Sequence, residues 1–184
     1  QGAIPEIQEI VRLEEYGKVI VSRGEKRFNE TRFFLADPSA FRIFSFQLLR
    51  GDPGTALVNP YSVILTETTA RRYFGDENPL QQEIEVVGKG RFLVTGVMAD
   101  VPPPSHFHFD FLAALSTIGE IRSPWEHWGY TYVLLPENSS PAVLEKKLAA
   151  LANYEYLGWY VEGMKFRLQP ITDIHLRSHF HDEI

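Results

Sequence analysis

Residues 62–97 run SVILTETTARRYFGDENPLQQEIEVVGKGRFLVTGV, and no other stretch of the chain constrains the fold as tightly. Residues 62–65 are short and apolar, the pattern of a strand. Thr66 follows as a helix N-cap, Glu67 suits the positive end of that helix, and Arg71 and Arg72 suit its negative end. Gly75 stands at the C′ position, where left-handed dihedrals are required, and Pro79 prevents the helix from resuming. Residues 82–87 and 91–97 then pair as a hairpin across Gly88-Lys89-Gly90. The segment contains no nucleophile elbow, metal-ligand spacing or phosphate loop. Gly88-Lys89-Gly90 lacks the Gly-x-x-x-x-Gly-Lys-Ser/Thr spacing, and an apolar strand follows where a helix would have to open.

Ahead of this segment, Ile4, Ile7, Ile10 and Val11 recur at helical steps and predict a short amphipathic helix, with Pro5 in its first turn. Residues 18–22 and 27–36 read as two strands around Arg23-Gly24-Glu25. Asp37-Pro38 predicts an N-cap and first helical residue, opening a short helix with Phe41 and Phe44 inward. Phe46, Leu48 and Leu49 lead into the turn Gly51-Asp52-Pro53-Gly54.

Beyond the hairpin, three prolines at 102–104 must interrupt any sheet. A strand over residues 106–112 is expected next, then an irregular stretch flanked by Trp125 and Trp128, then a strand over residues 130–135. Ser140 and Pro141 start a helix whose apolar face includes Leu144, Leu148 and Leu151. Residues 154–160 fit either helix or strand, and residues 165–169 read as a final strand. Two strand-and-helix units at the ends thus enclose a β-rich middle, an α+β architecture with joints near residues 51–54 and 123–124.

Bulk properties narrow the function classes. The chain has 184 residues, enough for one sizeable domain or two small subdomains sharing a core. With 44% apolar and 13% aromatic residues it is a folding sequence rather than a disordered one. The formal charge of −6 and basic runs of no more than two or three residues give nucleic-acid binding no electrostatic footing. The absence of cysteine excludes disulfides, thiolate metal sites and cysteine nucleophiles. No window approaches the roughly 18 apolar residues that a spanning helix needs. Gln1 is not a natural start, no signal peptide is present, and both ends look cut, so we expect a soluble segment of a longer, membrane-anchored chain.

Few residue groups could carry chemistry. His106, His108 and Asp110 alternate with Phe107, Phe109 and Phe111, so an extended chain would put the polar groups on one face and the rings on the other. Such a face could bind a transition metal, or it could be the solvated side of an aromatic core strand. His175, His179, His181, Asp182 and Glu183 form a second cluster near the chain end. Ser39, Ser62, Ser105, Ser116 and Ser139 sit in no nucleophile motif. Glu83 and Glu85 fall on an exposed strand face. Trp125, Trp128, Tyr130 and Tyr132 could line a groove, though an aromatic core accounts for them better. No catalytic, cofactor-binding or metal residue is assigned, and no cofactor is expected.

Residues 62–97 resemble the extracytoplasmic domain of MacB/FtsX-type ABC transporter permeases. There an apolar strand, a helix ending in Tyr-Phe-Gly, an Asp-Glu-Asn-Pro-Leu turn and a Val-Thr-Gly-Val strand recur in this order. Further similarity lies in Ala36-Asp37-Pro38, Phe41, Ile43-Phe44-Ser45-Phe46, Leu48-Leu49 and Gly51-Asp52-Pro53, and in Ala56-Leu57 and Pro60. It continues through Asp100, Pro102, Ser105-His106 and Phe109-Asp110 to Leu168, Pro170-Ile171 and Asp173-Ile174-His175-Leu176. The pattern looks most like the first of two such domains in the longer permeases of Bacteroidetes-like bacteria. One departure is visible: many relatives place Gly-Lys or Gly-Gln after the Asn-Pro-Leu turn, where Gln81-Gln82 stand here.

The resemblance implies a periplasmic domain between two membrane helices of an inner-membrane permease. It implies a porter-like α/β subdomain from residues 1–50 and 124–184, and an inserted β-rich subdomain from residues 51–123. ATP hydrolysis is then expected in a cytoplasmic ABC ATPase subunit, reached through the rest of the permease. This domain would be non-enzymatic, passing conformational change to a homodimer mate or a periplasmic adaptor. Two other readings stand beside it: an extracytoplasmic ligand-sensing domain of a membrane receptor, and a metal-dependent envelope enzyme built on His106, His108 and Asp110.

Overall fold

The computed structural model describes residues 4–103, 105–119, 129–155 and 166–174. Its contacts divide into two compact units, residues 10–132 and residues 1–9 with 133–184. In chain order the elements are β1 (Glu9–Glu15), β2 (Val19–Arg23), β3 (Lys26–Glu30), β4 (Phe33–Ala36), a single helical turn α1 (Ala40–Ile43) and β5 (Leu48–Gly51). Then follow β6 (Ser62–Thr66), α2 (Glu67–Phe74), β7 (Glu83–Val86), β8 (Gly90–Met98), β9 (Phe111–Ala114), β10 (Gly129–Leu134) and α3 (Pro141–Glu155).

The strands form one mixed sheet in the order β10-β1-β4-β9-β6-β8-β7-β2-β3, with β5 also paired to β8. Its middle strands, β4, β9 and β6, are buried along their whole length. This is why they read as short apolar runs, FFLA, FLAA and the VIL within SVILT, rather than as alternating ones. β4 pairs in parallel with β9, and β6 with β8. Parallel neighbours need a crossover, and α2 and β7 supply it between β6 and β8. β7 alternates exposed and buried side chains, placing Glu83 and Glu85 outward as expected. The edge strand β3 leaves the Arg27 charge exposed, which discourages pairing with another chain. Ala70, Tyr73 and Phe74 of α2 pack on the sheet against Phe33, Phe92 and Phe111.

In the other unit, α3 buries Leu144 and leaves Val143 exposed. Lys147 on this helix donates to the Glu6 carboxylate, and the backbone N–H of Leu168 donates to Glu145 Oε1 at 2.7 Å. Among the described residues no helix is long and apolar enough to cross a membrane.

Several expectations are corrected. Residues 5–6 form a turn, and the chain then enters strand β1 rather than a helix. The step from Ile7 to Ile10 and Val11 fits a helix, but buried Val11 and Leu13 follow the two-residue period. The single strand expected over residues 27–36 is two, β3 and β4, with exposed Thr31 and Arg32 between them; β3 pairs with β2, whereas β4 lies between β1 and β9. Asp37 does not cap α1 with its side chain. Its carboxylate takes a bidentate pair from Arg12, Nε to Oδ2 at 2.8 Å and Nη2 to Oδ1 at 2.7 Å, and Ser39 becomes the N-cap residue. The strand expected from residue 106 begins only at Phe111, because Phe107 and Phe109 turn into an aromatic cluster instead of joining the ladder. Residues 166–169 form no strand.

Candidate functional site

Helix α2 is held at both ends by residues far away in sequence. At its start the Thr66 hydroxyl accepts from the Thr69 N–H at 3.4 Å, the N-cap bond expected from the sequence. Asp100 adds a second cap: the Thr68 N–H donates to Oδ1 at 3.0 Å and the Thr68 hydroxyl to Oδ2 at 2.5 Å. A carboxylate at this position also meets the positive end of the helix dipole. At the other end, Lys26 Nζ donates to the carbonyls of Arg72 (2.8 Å) and Tyr73 (2.9 Å), satisfying acceptors the helix cannot pair internally. Arg23 stacks on the Phe74 ring at 4.1 Å and bonds Glu77 and Gln82, each at 2.6 Å. Gly75 closes the turn at φ 63°, ψ −123°, a region open to glycine alone.

The same helix carries a buried carboxylate contact that the sequence reading missed. Glu30, the last residue of β3, is 4% exposed. Its Oε1 accepts from Arg72 Nη2 at 2.7 Å and from the Tyr73 hydroxyl at 2.6 Å. Burial, then the hydrogen bond to Glu30 and the carboxylate charge, push the Tyr73 hydroxyl far above its ordinary value, so it stays protonated as the donor. Nothing in the polar run KRFNETR marks one acid as buried. Only the pairing of β3 against α2 does so.

Asp100 titrates with a definite sign. Burial opposes its ionisation, but the two Thr68 donors, with help from Thr66 and the Arg71 charge, outweigh burial and hold the carboxyl below its ordinary value. A lowered carboxyl contributes stability that is present above the unfolded value, near 3.9, and is lost as pH falls through the folded one. Asp100→Asn is therefore expected to lower the melting temperature at neutral pH, with the gap to the parent narrowing below about pH 4. Melting curves between acid and neutral pH measure that gap, and a gap constant with pH contradicts the assignment.

The residues flagged by sequence are placed as follows. Phe107 and Phe109 are buried, while His108 is exposed and His106 and Asp110 are half-buried. The His106 ring lies against Phe107, centroids 3.9 Å apart and tilted by 41°, and lies 5.9 Å from Tyr132. Phe44 and Phe46 join Phe107 to line an open apolar cleft of 440 Å³ with Met98, Val101 and Pro102. Among the described residues no three His, Asp or Glu side chains gather closely enough to hold a metal ion. The cluster of His175, His179, His181, Asp182 and Glu183, and the pair Trp125 and Trp128, lie outside the described residues. Buried Ser39 donates to the Ile10 carbonyl at 2.5 Å, and Ser105 Oγ accepts from the Phe107 N–H at 3.2 Å. Lys89, at the tip of the β7–β8 hairpin, lies over the Tyr16 ring at 5.1 Å.

Comparison with known proteins agrees with this scaffold. A domain of a permease protein from Porphyromonas gingivalis superposes with a TM-score of 0.71 at 21% identity, covering 92% of this chain and 82% of that one. The periplasmic region of MacB from Actinobacillus actinomycetemcomitans gives 0.61 at 22% identity, over 82% of this chain and 68% of that one. The extracellular domain of the ABC-type transporter YknZ from Gram-positive bacteria gives 0.60 at 13% identity, over 82% and 76%. At these identities the likeness concerns the fold. No curated protein matches the chain. The sequence profile of the MacB-like periplasmic core domain, however, matches residues 1–151. With so much of its length matched, the chain belongs to the MacB-like periplasmic core domains of ABC transporter permeases.

Proposed function

We propose that this domain is a non-enzymatic transmission element of an inner-membrane ABC permease. ATP hydrolysis in a cytoplasmic ABC ATPase subunit changes the arrangement of the membrane helices, and the domain carries that displacement to a dimer mate or a periplasmic adaptor. The match over residues 1–151 carries this reading, because the family is one of transporter permeases and not an enzyme family. The build of residues 10–132 is compatible with it. A sheet with buried central strands and a helix tied at both ends resists internal deformation, so a push at one point is passed on rather than absorbed.

The test uses the full-length permease with its ATPase in vesicles. The segment has no cysteine, so Asp76→Cys and Arg27→Cys introduce its only thiols for labels. ATP is expected to change the distance from either label to a headgroup acceptor, while the distance between the two labels stays fixed. Absence of any ATP-dependent displacement, or a change confined to the distance between the labels, rejects the proposal.

A further inference from the structure

Among the described residues, two that are not glycine have positive φ, Tyr61 at 60° and Gln81 at 63°, and both line the same cleft. Such backbone is strained for a residue with a Cβ and persists only where the surroundings enforce it. Here they do. The Tyr61 N–H donates to Thr117 Oγ1 at 2.9 Å and its carbonyl accepts from Leu93 N–H at 2.8 Å. The Gln81 N–H donates to the Val94 carbonyl at 2.9 Å. The two side chains are thus displayed from fixed points, although Tyr61 stands far from Gln81 in sequence.

The cleft has a volume of 670 Å³, within the usual range for small-ligand sites. Arg91, Leu93 and Thr95 occupy alternate positions of β8 and so share the face that forms its floor. The turn-rich segment of residues 52–61 forms one wall and residues 80–83 the other. The Tyr61 ring packs edge-on against Phe92 at 5.4 Å yet stays 43% exposed. Gly90, at φ 127°, makes room for it, since a Cβ there would lie 3.3 Å from the ring. The Tyr61 hydroxyl and the carboxamides of Asn59 and Gln81 make no hydrogen bond to any described residue. They are unspent donors and acceptors around an exposed ring.

The chemistry of the lining selects among ligands. An anion finds only Arg91, which already pairs with Glu83 at 3.5 Å and shares the cleft with Asp52. The Asp52 carboxylate is itself engaged by the Gly54 N–H and the Thr55 hydroxyl. A peptide cannot add as a strand, because β8 is flanked by β6 on one side and by β7 and β5 on the other. A purely apolar ligand would leave two carboxamides and a hydroxyl desolvated without partners. A neutral, hydroxyl-rich molecule fits all three constraints. Carboxamides offer a donor and an acceptor side by side to neighbouring hydroxyls, and a phenol ring offers a face to the C–H side of a sugar. We propose that the cleft between residues 52–61 and 80–95 is a saccharide-binding site, with Tyr61 as platform and Asn59 and Gln81 as hydroxyl readers.

The test is titration of the isotope-labelled chain with maltotriose, mannotriose and N,N′-diacetylchitobiose, with trialanine and inorganic phosphate as comparison probes, followed by amide shifts. At least one sugar is expected to move the Tyr61, Gln81 and Leu93 amides at concentrations up to about 20 mM. Tyr61→Ala is expected to weaken that binding about tenfold. Gln81→Gly separates binding from folding: it relieves the positive φ and is expected to raise the melting temperature by a few degrees, yet to weaken the sugar at least threefold. Three results overturn the proposal: no sugar shifts these amides; trialanine or phosphate shifts them and the sugars do not; or both variants bind sugar as the parent does.

Discussion

Phe33→Ala is expected to lower the stability of the chain by about 4 kcal/mol, in the range for removing a fully buried ring. Phe33 has no exposed surface. It stacks on Phe111 at 5.1 Å, meets Phe92 edge-on at 5.6 Å and touches Tyr16 at 5.5 Å. Phe33 and Phe111 are also register partners in the parallel β4–β9 pair. Alanine therefore removes packing at the middle of the sheet and leaves a cavity that two strands must collapse to fill. Phe33→Leu keeps most of the volume and is expected to cost roughly 1.5 kcal/mol. Urea denaturation should show both as shifts in midpoint with an unchanged slope. Phe28, on the edge strand β3 and 39% exposed, is the contrast: Phe28→Ala is expected to cost no more than about 1 kcal/mol. Equal losses for Phe33→Ala and Phe28→Ala would mean that the core is not centred on β4 and β9.

How much of this was legible in sequence follows from the range of each interaction. The β6–α2–β7–β8 run was readable because its signals are local: Thr66 caps three residues ahead, Gly75 closes its own turn, and the hairpin joins neighbours. The partners that fix α2 were not readable. Asp100 lies 32 residues from Thr68 and Lys26 lies 46 from Arg72, and polar side chains at such separations carry no pattern. β1 reads as a helix in sequence because a few isoleucine positions fit both helical and strand periods, and the buried alternation of Val11 and Leu13 decides for the strand. The break between β3 and β4 was hidden by Phe28 and Phe33, aromatic residues that suit a strand on either side of it. The cleft was half visible. The resemblance marks position 81 as one where glycine is common, and a φ of 63° gives the reason, but nothing announces the same dihedral at Tyr61.

Glu30→Ala is expected to cost about 3 kcal/mol, the scale for breaking a buried charged contact by removing one partner. The loss arises from what remains. Tyr73 is fully buried, so its hydroxyl is left with no acceptor, while Arg72, partly exposed, turns back to water. Glu30→Gln keeps an acceptor for Tyr73 without the charge and is expected to lose less, about 1–2 kcal/mol. The decisive comparison is the double change. With Tyr73→Phe in place there is no hydroxyl to strand, so Glu30→Ala should then cost less by about 1–2 kcal/mol, a coupling that a double-mutant cycle reads directly. Alkaline pH gives an independent check. Tyr73 is raised above its ordinary value by burial first and by Glu30 second, so its contribution is complete below about pH 10 and falls as pH rises toward the folded value. Tyr73→Phe should flatten that alkaline loss. Strict additivity of the two substitutions would mean that Glu30 holds the β2–β3 hairpin to α2 through Arg72 alone, and the alkaline limb would then reflect Tyr73 burial without its carboxylate.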